Sequence, residues 1–96
     1  AEGGQTVVTR LVAFARPNPG RGGTVVHYAL PAEGPVSLCV YDISGRLVAQ
    51  LVDGVQSAGL YQVPFRADGT HASPQMFLYR LRWRDASVNG RLLILK

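Results

Sequence analysis

The sequence predicts an all-β chain folded as an antiparallel sandwich of about seven short strands. Three observations predict it. Apolar and polar residues alternate at period two in several segments. Clusters of Gly, Pro, Asn and Asp interrupt those segments at short intervals. No window sustains the 3.6-residue periodicity of an amphipathic helix.

The opening "AEGGQT" is polar and Gly-rich, and residues 1–6 read as the remnant of a linker. The folded domain is expected to span 7–96. "VVTRLVAFA", 7–15, reads as the first strand. "RPNPGRGG" cannot continue it, because Pro17 and Pro19 each remove a backbone donor and fix φ. A stiff kink is expected here. It would let the first strand leave its sheet and let "TVVHYAL" begin in another.

In "TVVHYAL", Val26, Tyr28 and Leu30 fall on one face. "PAEGP", 31–35, reads as a turn. "VSLCVYD" places Val36, Leu38 and Val40 inward, and Ser37, Cys39 and Tyr41 outward. "DISG" turns the chain and "RLVAQLV" returns it, which predicts a hairpin over 36–52. "DGVQSAG", 53–59, reads as a loop. "LYQVPF" reads as a strand, with Pro64 pointing to a sheet edge. "RADGTHASP", 66–74, is the longest predicted loop. "MFLYRLRWR" alternates again: Phe77, Tyr79, Leu81 and Trp83 share the core face, and Met76, Leu78, Arg80, Arg82 and Arg84 share the other. "DASVNG" reads as a short turn, with Asn89–Gly90 as a hairpin tip or bulge, and "RLLILK" as the closing strand. Seven strands in this length fit an immunoglobulin-like sandwich. The cysteine pair and tryptophan pattern of antibody domains are absent.

With 96 residues, 47% of them apolar, the chain fits one domain with one modest core. No apolar run approaches the ~18 residues of a membrane span, so no membrane insertion is expected. "AEGGQT" lacks the basic start and apolar stretch of a signal peptide, so an exported protein would carry its signal elsewhere in a longer precursor. Cys39 is the sole cysteine, which excludes an internal disulfide and a cysteine-cluster zinc site. The net charge of +4 comes from nine arginines and one lysine. It permits an anionic partner without demanding one.

No catalytic constellation assembles. The acids Glu2, Glu33, Asp42, Asp53, Asp68 and Asp85 are scattered over turns and linkers. No nucleophile-elbow motif surrounds a serine. "GRGG" lacks the Gly-Lys-Ser/Thr of a phosphate loop. His27 and His71 are too few for a structural zinc site. Asp53 and Asp68 lack the alternating carboxylates of a calcium loop and read as Asp-Gly turn formers. Neither catalysis nor a cofactor is therefore expected. Arg80, Arg82 and Arg84 form a stripe that would either contact an anionic glycan or acidic surface, or simply be a solvated strand face. Trp83 would be a sugar platform only if it left the core face.

Taken together, the segments resemble the C-terminal sorting domains of type IX secretion cargo, a group that includes the Ig-like domain of the flagellar hook-capping protein. The resemblance rests on Pro17-Asn18-Pro19, on a strand ending at Leu30-Pro31, and on Val36 to Asp42 with its Val-Tyr-Asp ending. Gly45-Arg46 and the Gly-containing loop from Gly54 to Gly59 follow. Phe77 to Leu81 matches the family's Tyr-x-Tyr-Arg-Leu strand through Tyr79, Arg80 and Leu81, and "RLLILK", with Arg91 and Lys96, matches its basic-ended terminal strand. The departures are Phe65, where many relatives carry Trp, Gln75, where they carry Gly, and an altered loop at 66–74.

The resemblance implies a non-catalytic domain of a larger secreted bacterial protein, attached to an N-terminal passenger. It implies recognition by the type IX translocon and a sortase-like protease, after passage through the periplasm to the outer cell surface or beyond. A monomer with no nucleic-acid partner is expected. The other readings are a structural Ig-like spacer or assembly module beside a catalytic domain, and a carbohydrate-binding module.

Overall fold

The computed structural model describes residues 10–66 and 75–95. They form eight strands: β1 (Val12–Arg16), β2 (Gly20–Arg21), β3 (Gly23–Leu30), β4 (Gly34–Asp42), β5 (Leu47–Gln56), β6 (Gly59–Arg66), β7 (Gln75–Trp83) and β8 (Ala86–Leu95). These build two sheets packed as a β-sandwich. One runs in the order β1-β3-β6 and the other β2-β8-β7-β4-β5.

Strict alternation explains why these segments are strands rather than helices. In β3 every second residue from Thr24 to Leu30 is buried, and in β4 every second residue from Gly34 to Val40. A strand sends successive side chains to opposite faces, so each sequence buries one face and wets the other. Val26, Tyr28, Leu30 and Phe65 from the smaller sheet meet Val36, Leu38, Val40, Phe77, Tyr79, Leu81, Leu92 and Ile94 from the larger. Phe65 and Phe77 bridge the two sheets edge to face, with centroids 5.2 Å apart.

All the predicted core residues are buried except Trp83, which is half-buried at the rim and packs against the core. Its indole N–H donates to the Ala32 carbonyl at 3.0 Å, which gives its polar edge a partner. Pro64 does lie on an edge strand, since among the described residues β6 pairs only with β3.

Several expectations need correction. The described residues form eight strands where about seven were expected; the additional one is β2, whose pairing with β8 is parallel, so the sandwich is not wholly antiparallel. The chain does leave one sheet after β1, but it is β2 that joins the other. β3 returns to pair with β1, from Val12↔Ala29 to Arg16↔Val25. The first strand starts at Val12; its expected beginning at 7–9 lies outside the described residues. The expected loop 53–59 is mostly strand: β5 continues to Gln56, opposite Gly34 on β4. Asn89–Gly90 is no turn. It sits inside β8, opposite Arg80 and Tyr79, and the hairpin tip is Arg84–Asp85. Of the expected loop 66–74, Arg66 instead ends β6, and 67–74 lie outside the described residues.

Why β8 tolerates Gly90 is visible in the packing. The Tyr79 ring crosses directly over it, and a Cβ at this position would stand 2.4 Å from the ring. The aromatic side chain covers the gap that glycine leaves in the sheet.

Candidate functional site

The residues singled out by the resemblance gather in three places. The first is the segment between β1 and β2. Both peptide bonds that precede Pro17 and Pro19 are cis. Between the prolines, the Asn18 side chain reaches the outer edge of β8. Its Nδ2 donates to the Arg91 carbonyl at 2.8 Å, and its Oδ1 accepts from the Leu93 N–H at 3.0 Å. One side-chain amide thus pairs with β8 as a backbone peptide group would. Immediately after it, Gly20 and Arg21 pair with Ile94 and Leu95, and the Gly22 N–H donates to the Leu95 carbonyl at 2.7 Å. The Thr24 hydroxyl, itself buried, donates to the Pro17 carbonyl at 2.5 Å and ties the segment down from below.

The second place is the β4–β5 turn. Asp42 Oδ1 accepts from the Ser44 N–H (3.0 Å), the Ser44 hydroxyl (2.5 Å) and the Arg46 N–H (3.0 Å). Its Oδ2 receives Arg46 Nε at 3.2 Å. Backbone bonds close the ring from Asp42 N–H to Arg46 and from Gly45 N–H to Asp42, both at 2.9 Å. Gly45 has φ +91°, a conformation glycine adopts without steric cost. The Ser44 hydroxyl, followed by the Arg46 backbone N–H, holds the Asp42 carboxyl below its ordinary value of 3.8. Asp42, Gly45 and Arg46 therefore form a turn whose carboxylate is already saturated with donors.

The third place is the outer face of the larger sheet. Tyr41, Gly45, Leu78, Tyr79, Arg80, Asn89, Gly90 and Arg91 border a shallow, open depression of about 500 Å³. Arg80 and Arg91 are exposed, whereas Tyr79 and Leu81 belong to the core. Burial pushes the Tyr79 hydroxyl pKa up. Arg80 Nε donates to Asn89 Oδ1 at 3.2 Å, which holds its guanidinium over β8. Lys96 lies outside the described residues.

The stripe expected from Arg80, Arg82 and Arg84 loses its third member. Arg84 sits at the hairpin tip with φ +54°, its guanidinium 4.8 Å above the Trp83 ring and bonded to the Glu33 carbonyl. Trp83 is therefore capped and offers no open stacking platform.

The chain matches no protein-family model, no curated protein and no solved structure.

The remaining candidates lie apart. Cys39 is half-buried on the outer face, its Sγ 3.5 Å from Ser37 Oγ. His27 stacks on Phe14 on the outer face of the smaller sheet, with centroids 4.8 Å apart. Asp53 stands opposite Ser37 on β5. Among the described residues, no group of three or more His, Cys, Asp or Glu side chains could hold a metal. Asp68 and His71 lie outside those residues. Sequence reasoning missed Thr24, Asn89 and Gln56, whose side-chain oxygen accepts the Tyr28 hydroxyl at 2.5 Å. No local pattern marks these three, because each contact joins separate segments, 7 residues apart for Thr24 and Pro17, 9 for Arg80 and Asn89, and 28 for Tyr28 and Gln56.

Proposed function

We propose that this chain is a non-catalytic domain of a larger secreted bacterial protein, serving as its type IX sorting and cell-surface targeting signal. The observation that carries the reading is the ordered series of motifs from Pro17-Asn18-Pro19 to the strand beginning at Arg91. The clasp of Asn18 on Arg91 and Leu93 supports it, because two motifs at opposite ends of the series form one unit. In this reading the N-terminal neighbour is the passenger. The translocon and its sortase-like protease act on a folded sandwich whose last strand ends the series. The immunoglobulin-like assignment rests on strand order: the first strand is divided between two sheets, and the last pairs with its second part.

A second reading has its own support. Asn18, Asp42, Gly45 and Tyr79 all have structural tasks, as expected of a spacer or assembly module stabilising a neighbouring domain. Capping of Trp83 by Arg84 weighs against the third reading, a glycan-binding module.

Fusion behind a reporter passenger in a type IX-competent bacterium separates the first two. Sorting requires that the fusion be exported and that removal of the domain abolish export. Replacement of Arg91 and Lys96 by Gln should reduce export while the melting temperature stays unchanged. Equal secretion without the domain defeats the sorting reading. If the passenger's melting temperature also falls without the domain, the structural-module reading replaces it.

A further inference from the structure

The outer face of the larger sheet carries a line of three exposed guanidinium groups. Arg82 and Arg80 alternate along β7, two residues apart. On β8, Asn89 lies opposite Arg80, so Arg91, two residues further on, is the diagonal neighbour of Arg80. Strand rise sets Arg82 and Arg80 about 7 Å apart, and the diagonal step from Arg80 to Arg91 is of about the same length. The spacing along Arg82, Arg80 and Arg91 is therefore nearly even.

Among the described residues, no carboxylate forms an ion pair with any of the three. The side chains across β4 are Ser37, Cys39 and Tyr41, facing Arg82, Arg80 and Leu78. Among the described residues, Asp53 stands on that face one strand beyond Ser37 and borders the same depression as Arg82. Arg82 and Arg91 have no side-chain hydrogen-bond or ion-pair partner among the described residues, and Arg80 has Asn89 alone. The bond through Nε holds the Arg80 side chain and leaves its two terminal nitrogens without a hydrogen-bond partner among the described residues, the pair that grips a carboxylate with two parallel bonds. Shallow depressions lie at both ends of the line, one bordered by Tyr41, Leu78 and Arg91 and the other by Ser37 and Arg82.

We propose that this line is a docking surface for an extended acidic segment of a partner protein bearing carboxylates on alternate residues. The match is geometric as well as electrostatic. An extended peptide repeats its side chains on one face every ~7 Å, the same interval that a strand imposes on its own. Three carboxylates at alternate positions meet Arg82, Arg80 and Arg91 in register. Consecutive carboxylates present only every second group to the sheet. The observations favour a peptide over single-stranded nucleic acid, which also repeats its charge but relies on stacking platforms. Here Trp83 is capped by Arg84, and Tyr41 is half-buried. The surface does not depend on whether the chain is an export signal.

The test uses the full chain and two fluorescein-labelled peptides of one composition, Ser-Glu-Ser-Glu-Ser-Glu-Ser and Ser-Ser-Glu-Glu-Glu-Ser-Ser, read by anisotropy at low salt. The alternating peptide should bind about tenfold tighter, which corresponds to ~1.4 kcal/mol. The combined R80Q, R82Q and R91Q variant should lose that preference. The R10Q, R16Q and R66Q variant, with the same net charge, should keep it. Circular dichroism on both variants separates lost binding from lost fold, and the peptide comparison on the unaltered chain needs no variant. Equal affinity for the two peptides, no binding, or equal losses in the two variants overturns the proposal. So does tighter binding of an oligothymidylate or a heparin fragment.

Discussion

Asn18 and Leu93 are 75 residues apart in sequence, yet the Leu93 backbone N–H donates to the Asn18 side chain at 3.0 Å. The same side chain donates to the Arg91 carbonyl, so it occupies the edge position that a neighbouring strand would fill. An unpaired strand edge is a template for association, and this short segment, with β2, covers the last part of β8. Asn18→Ala removes both bonds while leaving the flanking prolines. It should lower stability by about 1–3 kcal/mol, two modest hydrogen bonds at a site water can reach. Hydrogen exchange at the Leu93 amide provides the local check. Its protection should fall in the variant, while that of amides in β4 changes only as global stability does. Unchanged Leu93 protection would refute the clasp.

The core supplies a second prediction through contrast. Leu38 is fully buried, whereas Leu60 is 65% exposed on the outer face of the smaller sheet. Leu38→Ala removes the same atoms as Leu60→Ala but leaves a cavity between the sheets. The expected cost is about 2–5 kcal/mol for Leu38 and within about 0.5 kcal/mol for Leu60. Urea denaturation of the two variants measures both. Equal midpoints would mean that the sheets do not pack as described.

Gly90 and Tyr79 are expected to be coupled. A methyl group at Gly90 would meet the Tyr79 ring at 2.4 Å, so Gly90→Ala must displace the ring or part the strands. Overpacking of this kind costs about 1–3 kcal/mol. Tyr79→Leu opens the space at a cost of its own. In the double variant the two costs should sum to less than their separate values, and a double-mutant cycle gives the coupling. Strict additivity would show that the ring does not depend on glycine for its place.

The legibility of this fold in its sequence follows the range of the interaction concerned. Alternation in Thr24–Leu30, Val36–Asp42 and Phe77–Trp83 is local, and it identified those strands and their buried faces. The Asp42–Arg46 turn was legible for the same reason, since Asp42 bonds only to its near neighbours. Extension of β5 through Asp53 and Gly54 was not legible. Gly54 and its surroundings carry turn chemistry, yet pairing with Pro35 and Val36 on β4 overrides that preference. The Asn89–Gly90 pair misleads in a parallel way, because its glycine serves the Tyr79 ring rather than a turn. The kink at Pro17 and Pro19 was readable from the two missing donors. Its partner was not, because nothing near Asn18 announces β8. At the candidate surface, alternation placed Arg80 and Arg82 outward together, but only the β7–β8 register brings Arg91 beside them.

Asp42 yields the pH prediction. Hydrogen bonds from Ser44, and then from the Arg46 backbone, favour the charged carboxylate, so its folded pKa lies below the ordinary 3.8. For a carboxyl group the unfolded chain then binds its proton first as pH falls, and stability drops with it. The contribution is fully present above the ordinary value and is lost as pH falls from there through the folded pKa. Asp42→Asn keeps an acceptor oxygen in the turn but has no proton to take up in this range. It should be less stable than the parent at pH 7, because the charge-assisted bonds and the Arg46 contact are weakened. Below pH 4 the gap should narrow, since only the parent loses this contribution. Melting temperatures of both proteins, measured in steps from pH 7 to pH 2.5, read the difference directly. Parallel curves across that window would show that the Asp42 charge does not stabilise the turn.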